Sequence, residues 1–152
     1  MRVSAKADYA VRAALELAAA SDGGPLKGER IAEAQGIPLK FLENILIELR
    51  HDGLVRSQRG PEGGYWLGRP ADQIAVAEVI RAVEGPLASV RGEAPEGLEY
   101  SGSAKDLQTV WVALRANLRQ VIEQVTLADV VAGELPHGVA ALADDPDAWK
   151  RR

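Results

Sequence analysis

The chain of 152 residues contains no cysteine and only two histidines. Without thiols there is no disulfide framework, no thiolate nucleophile and no cysteine-ligated cluster. His51 and His137 are far apart in sequence, no phosphate-loop Gly-Lys-Ser/Thr accompanies them, and His51 falls where a helix is expected to end, so a capping role accounts for it. A catalytic function is therefore not expected. Long apolar runs are missing too. No stretch reaches the roughly 18 consecutive apolar residues that a membrane span requires. Met1 to Lys6 lacks the apolar core of a signal peptide, so the chain is expected to stay in the cytoplasm.

An overall basic charge is also lacking: the formal net charge is −4. The charge divides unevenly. Residues 1–70 carry ten Lys/Arg against nine Asp/Glu, a balance of +1, and residues 71–152 carry eight against thirteen, a balance of −5. A near-neutral first half with its cations gathered on one face still suits a polyanionic partner, provided two copies present such faces together. Apolar residues at 47% and charged residues at 26% describe a globular chain able to bury a core.

What is present centres on residues 28–67. Ile31, Ala32 and Ala34 give the segment from Glu29 to Gln35 a small apolar side. Gly36 ends it, because glycine adopts the left-handed conformation without a Cβ clash. Ile37 fills the turn, and Pro38 opens the next helix, where its missing N–H costs nothing. Leu42, Ile45, Leu46 and Leu49 then recur at spacings of three and four, one core-facing stripe. Gly53 terminates the helix. Two helices joined by a short glycine-containing turn form a helix-turn-helix, whose second helix fits the DNA major groove and meets base edges with its N-terminal residues. Those residues are Pro38, Leu39, Lys40, Glu43 and Asn44. Lys40 can donate to phosphate or guanine, Asn44 can pair with adenine, and Glu43 can accept from cytosine while repelling misplaced phosphates. The same spacing also describes two packed core helices with a polar outer face.

Immediately after, Leu54 to Ser57 reads as a strand, Gln58 to Gly64 as a turn with three glycines and a proline, and Tyr65 to Leu67 as the return strand. This hairpin is a wing. Arg56 and Ser57 lie on its first strand, Arg59 and Gly60 at its tip, Gly63, Gly64 and Tyr65 on its return. Arg59, flanked by small residues, can enter a minor groove whose negative potential attracts it. The plainer alternative is a solubilising charge on an exposed hairpin.

These segments resemble the Rrf2 family of small bacterial transcription regulators (IscR- and NsrR-like). The resemblance is carried by Val3-Ser4-Ala5-Lys6-Ala7-Asp8-Tyr9-Ala10, by Phe41-Leu42-Glu43-Asn44-Ile45-Leu46, by Gly53 to Tyr65 with its double glycine, by Ile80 to Gly85, and by Val125 to Asp129. It implies a winged helix-turn-helix fold, mainly α with a small β-hairpin wing, plus a long dimerisation helix. It also implies that Lys6 and Tyr9 touch the DNA backbone; on the residues alone, a half-buried aromatic is the favoured reading of Tyr9. Lys27, just before the helix-turn-helix, is placed to reach a phosphate.

Around this core the organisation is expected as follows. Residues 1–70 form the DNA-binding domain, opened by a helix from Ser4 to about Ala20. Residues 71–133 comprise a linker helix up to Glu84, a long surface loop from Leu87 to Ser103 and the dimerisation helix. Residues 134–152 form a flexible tail in which Trp149 docks somewhere. In the dimerisation helix, Leu107, Trp111, Leu114, Leu118, Val121 and Val125 are spaced four, three, four, three, four, a coiled-coil seam over nearly three heptads. A helix packed on its own domain would show the same stripe; since the winged helix has a core of its own, a partner helix from a second subunit is the favoured reading. Two-fold symmetry would set the recognition helices one DNA turn apart, roughly 34–36 Å, on a near-palindromic site.

Cluster-binding relatives carry three cysteines in the loop matching Leu87 to Ser103, where this chain has Ala88, Ser89 and other non-thiol residues. Oxygen ligands do not replace several thiolates around iron and sulfide. Asp8 matches a position that supplies a cluster ligand in the nitric-oxide type and here reads as a charge at a helix N-terminus. No iron–sulfur cofactor is expected. The function expected is a homodimeric, sequence-specific repressor; the alternative is a winged-helix protein–protein interaction module.

Overall fold

The computed structural model describes residues 2–151. Among these residues, seven α-helices and one hairpin follow in the order α1 (Ala5–Ala19), α2 (Gly28–Gln35), α3 (Leu39–His51), β1 (Val55–Gln58), β2 (Gly64–Leu67), α4 (Val76–Glu84), α5 (Leu107–Ile122), α6 (Leu127–Ala132) and α7 (His137–Asp144). The mainly helical fold with a small wing is the one expected.

Local chemistry sets the boundaries of the first elements. Ser4 caps α1 by accepting the Ala7 N–H at 3.0 Å. The buried face of α1 is almost all alanine (Ala7, Ala10, Ala13, Ala14, Ala18, with Leu17), which lets α3, α4 and α6 approach closely. Gly36 closes α2 in the left-handed conformation at φ 62°, and the Ile37 N–H returns to the Ala32 carbonyl at 2.9 Å. Pro38 stands one position earlier than expected: it is the N-cap of α3 rather than its first residue, and its carbonyl accepts the Leu42 N–H at 2.9 Å. The stripe Leu42, Ile45, Leu46 and Leu49 is buried.

One core gathers these elements. Ile31, Leu42, Ile45, Leu46, Leu49 and Val55 from the winged helix share it with Ile74, Val79 and Val83 near and on α4 and with Leu127 on α6. Packing thus runs continuously across the boundary expected at residue 70. The chain leaves this core through the loop after α4, runs out along α5 and returns. On the return, the Val76 N–H donates to the Val125 carbonyl and the Leu127 N–H to the Ile74 carbonyl, both at 2.9 Å. Thr126 caps α6, accepting the Asp129 N–H at 3.1 Å while Asp129 accepts the Thr126 N–H at 2.9 Å.

This return corrects one member of the expected seam. Helix α5 stops at Ile122, and Val125, three residues later, is buried within the protomer beside α4. Leu107, Trp111, Leu114, Leu118 and Val121 remain on α5, each half-buried. None of the sixteen residues of α5 is fully buried, and Val110 is 54% exposed. On one side α5 leans on the 87–103 loop: Trp111 Nε1 donates to Tyr100 Oη at 3.1 Å, and Arg115 forms an ion pair with Glu96. That loop is anchored by buried Pro95 and Leu98. In the segment expected as a tail, α7 and a short 3-10 turn form, and Trp149, largely exposed, donates its indole N–H to the Ala143 carbonyl at 2.6 Å.

Candidate nucleic-acid interface

Helix α3 places Lys40, Glu43, Asn44 and Ile47 away from its buried stripe, all exposed, with Phe41, also exposed, on the flank toward α1. Leu39 joins them at the first turn. This is the geometry a recognition helix needs: the apolar stripe fixes the helix on the core, and the outward residues near its N-terminus are free to meet base edges.

The wing lies beside that face. Strands β1 and β2 pair antiparallel, with Val55 opposite Leu67 and Gln58 opposite Gly64. Glycine is required where they turn. A Cβ on Gly63 would lie 2.1 Å from the Gln58 carbonyl oxygen, and one on Gly64 2.5 Å from that of Leu26. The second closeness exists because Leu26 pairs with Tyr65 as a third, one-residue strand: Tyr65 N–H to Leu26 O at 2.7 Å, Leu26 N–H to Tyr65 O at 2.9 Å. The backbone before α2 thereby holds the wing against the helix-turn-helix.

Two cations tie the wing down further. Lys27 Nζ donates to the Gly60 carbonyl at 2.7 Å, and Arg50 Nη1 donates to Ser57 Oγ at 3.0 Å. Lys27, expected to reach a phosphate, is here engaged with the wing tip. Arg50 was not singled out in the sequence, although Glu43, Ile47 and Arg50 recur at four and three, the spacing of a single helix face. Between α3 and the wing lies a cleft of about 430 Å³ lined by Glu43, Ile47, Arg50, Ser57 and Arg59 among others. Arg56 and Arg59 are exposed, and Gly60 takes φ 104° at the tip.

On the far flank of α3, Lys6 of α1 forms an ion pair with Glu48 at 2.9 Å. Tyr9 is half-buried and meets Phe41 edge to face, centroids 5.7 Å apart. Arg12 stacks over the Tyr9 ring at 4.8 Å, while pairing with Asp8 at 3.0 Å and donating to the Gln35 carbonyl at 2.8 Å. The predicted residues Pro38, Leu39, Lys40, Glu43, Asn44, Arg56, Ser57, Arg59, Gly60, Gly63, Gly64 and Tyr65 thus fall on α3 and the adjoining wing, with Lys6, Tyr9 and Lys27 at its edges.

The family model described as "Rrf2: Iron-dependent Transcriptional regulator" matches residues 3–133. The chain belongs to the Rrf2 family. It is 56% identical over 145 residues, 95% of this chain and 90% of the relative, to a Mycobacterium tuberculosis protein provisionally described as the HTH-type transcriptional regulator Rv1287. It is 40% identical over 134 residues to the HTH-type transcriptional regulator IscR of Sodalis glossinidius, covering 88% of this chain and 81% of that one. Among solved structures, CymR, the global cysteine regulator of B. subtilis, superposes with a TM-score of 0.74 at 33% identity over 88% of this chain and 98% of its own. The T. potens IscR structure gives 0.69 at 32% identity over 100% and 93%. The winged-helix fold and the assignment to transcription regulation, rather than to enzymes, follow from this membership.

Iron–sulfur clusters are held by cysteine thiolates. This Rrf2 chain has no cysteine, and among the described residues no group of three or more His, Cys, Asp or Glu could hold a metal ion. Asp8 is spent on Arg12. The donor set does not fit a cluster. Among the described residues no helix is long and apolar enough to cross a membrane.

Proposed function

We propose that the chain is a homodimeric, sequence-specific repressor of the Rrf2 type that works in the cytoplasm without an iron–sulfur cluster. The observation that carries the DNA-reading part is the cleft that α3 shares with the wing, lined by Glu43 and Arg59, with Lys40 and Asn44 exposed on the same helix. In this reading α3 enters the major groove, Arg59 enters the neighbouring minor groove, and Lys6 and Tyr9 lie along the backbone.

Dimerisation is supported by α5. A helix of sixteen residues with none buried in its own protomer, yet carrying Leu107, Trp111, Leu114, Leu118 and Val121 along one stripe, suits a partner helix of the same kind. Two-fold symmetry then presents two reading faces to a near-palindromic operator, and the protein acts by occluding a promoter. The absence of thiolates supports signalling by something other than a bound cluster.

A gel-shift titration against genomic fragments over a range of salt concentrations tests the proposal. Sequence-specific retardation with a steep loss of affinity in salt is the expected result. A protein that prefers no duplex, and whose binding is flat in salt, would instead have to use this face on another protein.

A further inference from the structure

A hollow of about 470 Å³ opens where the start of α1, the end of α4, the loop after α4 and the helix α5 meet. It shares no lining residue with the cleft between α3 and the wing. Its volume falls within the roughly 300–1,000 Å³ of small-molecule sites. The walls are aliphatic: Ile80 on α4, Leu87 in the loop, Leu118 and Ile122 on α5. All four are half-buried and so keep apolar area for a further contact.

Two opposite charges also line the hollow, Arg2 before α1 and Glu84 at the end of α4. Among the described residues, neither pairs with an opposite charge. Glu84 accepts a hydrogen bond from the Ser4 hydroxyl. The cation one turn back on α4, Arg81, is taken by Glu123 at 2.6 Å. The negative end of the α4 dipole adds to the Glu84 carboxylate. The Glu84 side therefore favours a cation, the Arg2 side an anion, and the walls an apolar body. Ala88, also in the wall, holds φ 56°, a left-handed conformation that costs alanine energy and recurs at ligand sites.

We infer that this hollow binds a zwitterion with an apolar body, the class of the larger apolar α-amino acids. The ammonium meets Glu84, the carboxylate meets Arg2, and the side chain lies against Ile80, Leu87, Leu118 and Ile122. The ammonium competes with the Ser4 hydroxyl for Glu84, and Ser4 caps the helix that carries Lys6 and Tyr9. Resting on the DNA-reading function above, occupancy loosens the first turn of α1 and lowers operator affinity.

Calorimetry on the full-length protein tests the site without DNA, using L-leucine, L-phenylalanine and L-tryptophan. At least one should bind with millimolar or better affinity. Its decarboxylated and its deaminated analogues, each keeping one charge, should bind roughly tenfold more weakly. Glu84→Gln and, independently, Arg2→Gln should weaken binding by a similar factor with circular dichroism unchanged; Arg2 precedes every helix, so its replacement leaves the fold intact. Saturating amino acid should lower operator affinity roughly fivefold or more in a gel shift. Unchanged operator affinity overturns the regulatory role. No heat with any of the three, equal binding of a one-charge analogue, or unaltered affinity in both variants overturns the site. A protein that retards an operator but gives no heat loses this site alone and leaves the hollow to a second copy of the chain. One that binds the amino acid yet prefers no duplex keeps the site and loses the DNA-reading function.

Discussion

The ammonium of Lys27 donates a 2.7 Å hydrogen bond to the carbonyl of Gly60, joining the residue before α2 to the tip of the wing. A lysine in a DNA-binding domain is ordinarily assigned to a phosphate. This contact favours a different duty for Lys27, setting where the wing carries Arg59. The two duties separate in a double-mutant cycle. If Lys27 positions the wing, Lys27→Met weakens specific binding about tenfold in the wild-type background, adds little to Arg59→Ala, and leaves the salt slope nearly unchanged. A phosphate contact would give additive losses and a slope shallower by about one.

Arg59→Ala itself is expected to cost about 1–3 kcal/mol of operator binding, measured by gel shift, with the oligomeric state seen by light scattering the same as that of wild type. Gly63→Ala should imitate it for a different reason. The new Cβ would lie 2.1 Å from the Gln58 carbonyl oxygen, so the hairpin must open and Arg59 moves with it. The core residues of α1 and α3 are untouched by that change. A normal helical spectrum with lost operator binding is therefore the expected pair of results, and unchanged binding would mean that the wing is not part of the reading face.

Glu78 predicts a pH dependence where the wing joins α4. Burial alone would raise the pKa of its carboxyl. The opposing interactions win: the Ala75 N–H donates to it at 2.9 Å, Arg69 donates at 2.6 Å, and the charges of Arg69 and Arg81 add to them, leaving it below the ordinary value of 4.5. A carboxylate with a depressed folded-state pKa contributes stability that is present above its unfolded value and lost as pH falls through the folded one. Glu78→Gln should therefore melt lower than wild type at pH 7, with the gap closing below pH 4.5. The side chain is a third exposed, so the effect is modest and shrinks in salt. A gap independent of pH would assign the loss to packing.

The stripe of α3, the glycine ends of α2 and α3 and the hairpin were legible because each is a local pattern: a period, a left-handed residue, a turn composition. Leu127 and Val125 were harder to place. Both lie after a long helix, and only the backbone exchange with Ile74 and Val76 brings them back to the core, a pairing some fifty residues apart that no local period announces. The same limit hid the bond from Lys27 to Gly60 and the strand-like pairing of Leu26.

The proposed dimer turns on α5. Leu118 touches the protomer's own surface, lining a hollow of about 470 Å³ with Ala7, Ile80 and Leu87, so Leu118→Asp would disturb the subunit and its partner alike. Val110 is cleaner, being 54% exposed, and Leu114 is half-buried on the seam. If two α5 helices pack together, a carboxylate at either position is driven into an apolar contact, where an unpaired charge costs several kcal/mol. Val110→Asp and Leu114→Asp should both yield monomers by light scattering, with helical content preserved and operator affinity reduced at least a hundredfold, because each half-site then binds alone. Variants that remain dimeric would place the subunit contact elsewhere and make the α5 stripe a surface for its own loop. The difference between Val110→Asp and Leu118→Asp in melting temperature supplies the control: only the second should melt lower as a monomer, since only its side chain is built into the subunit.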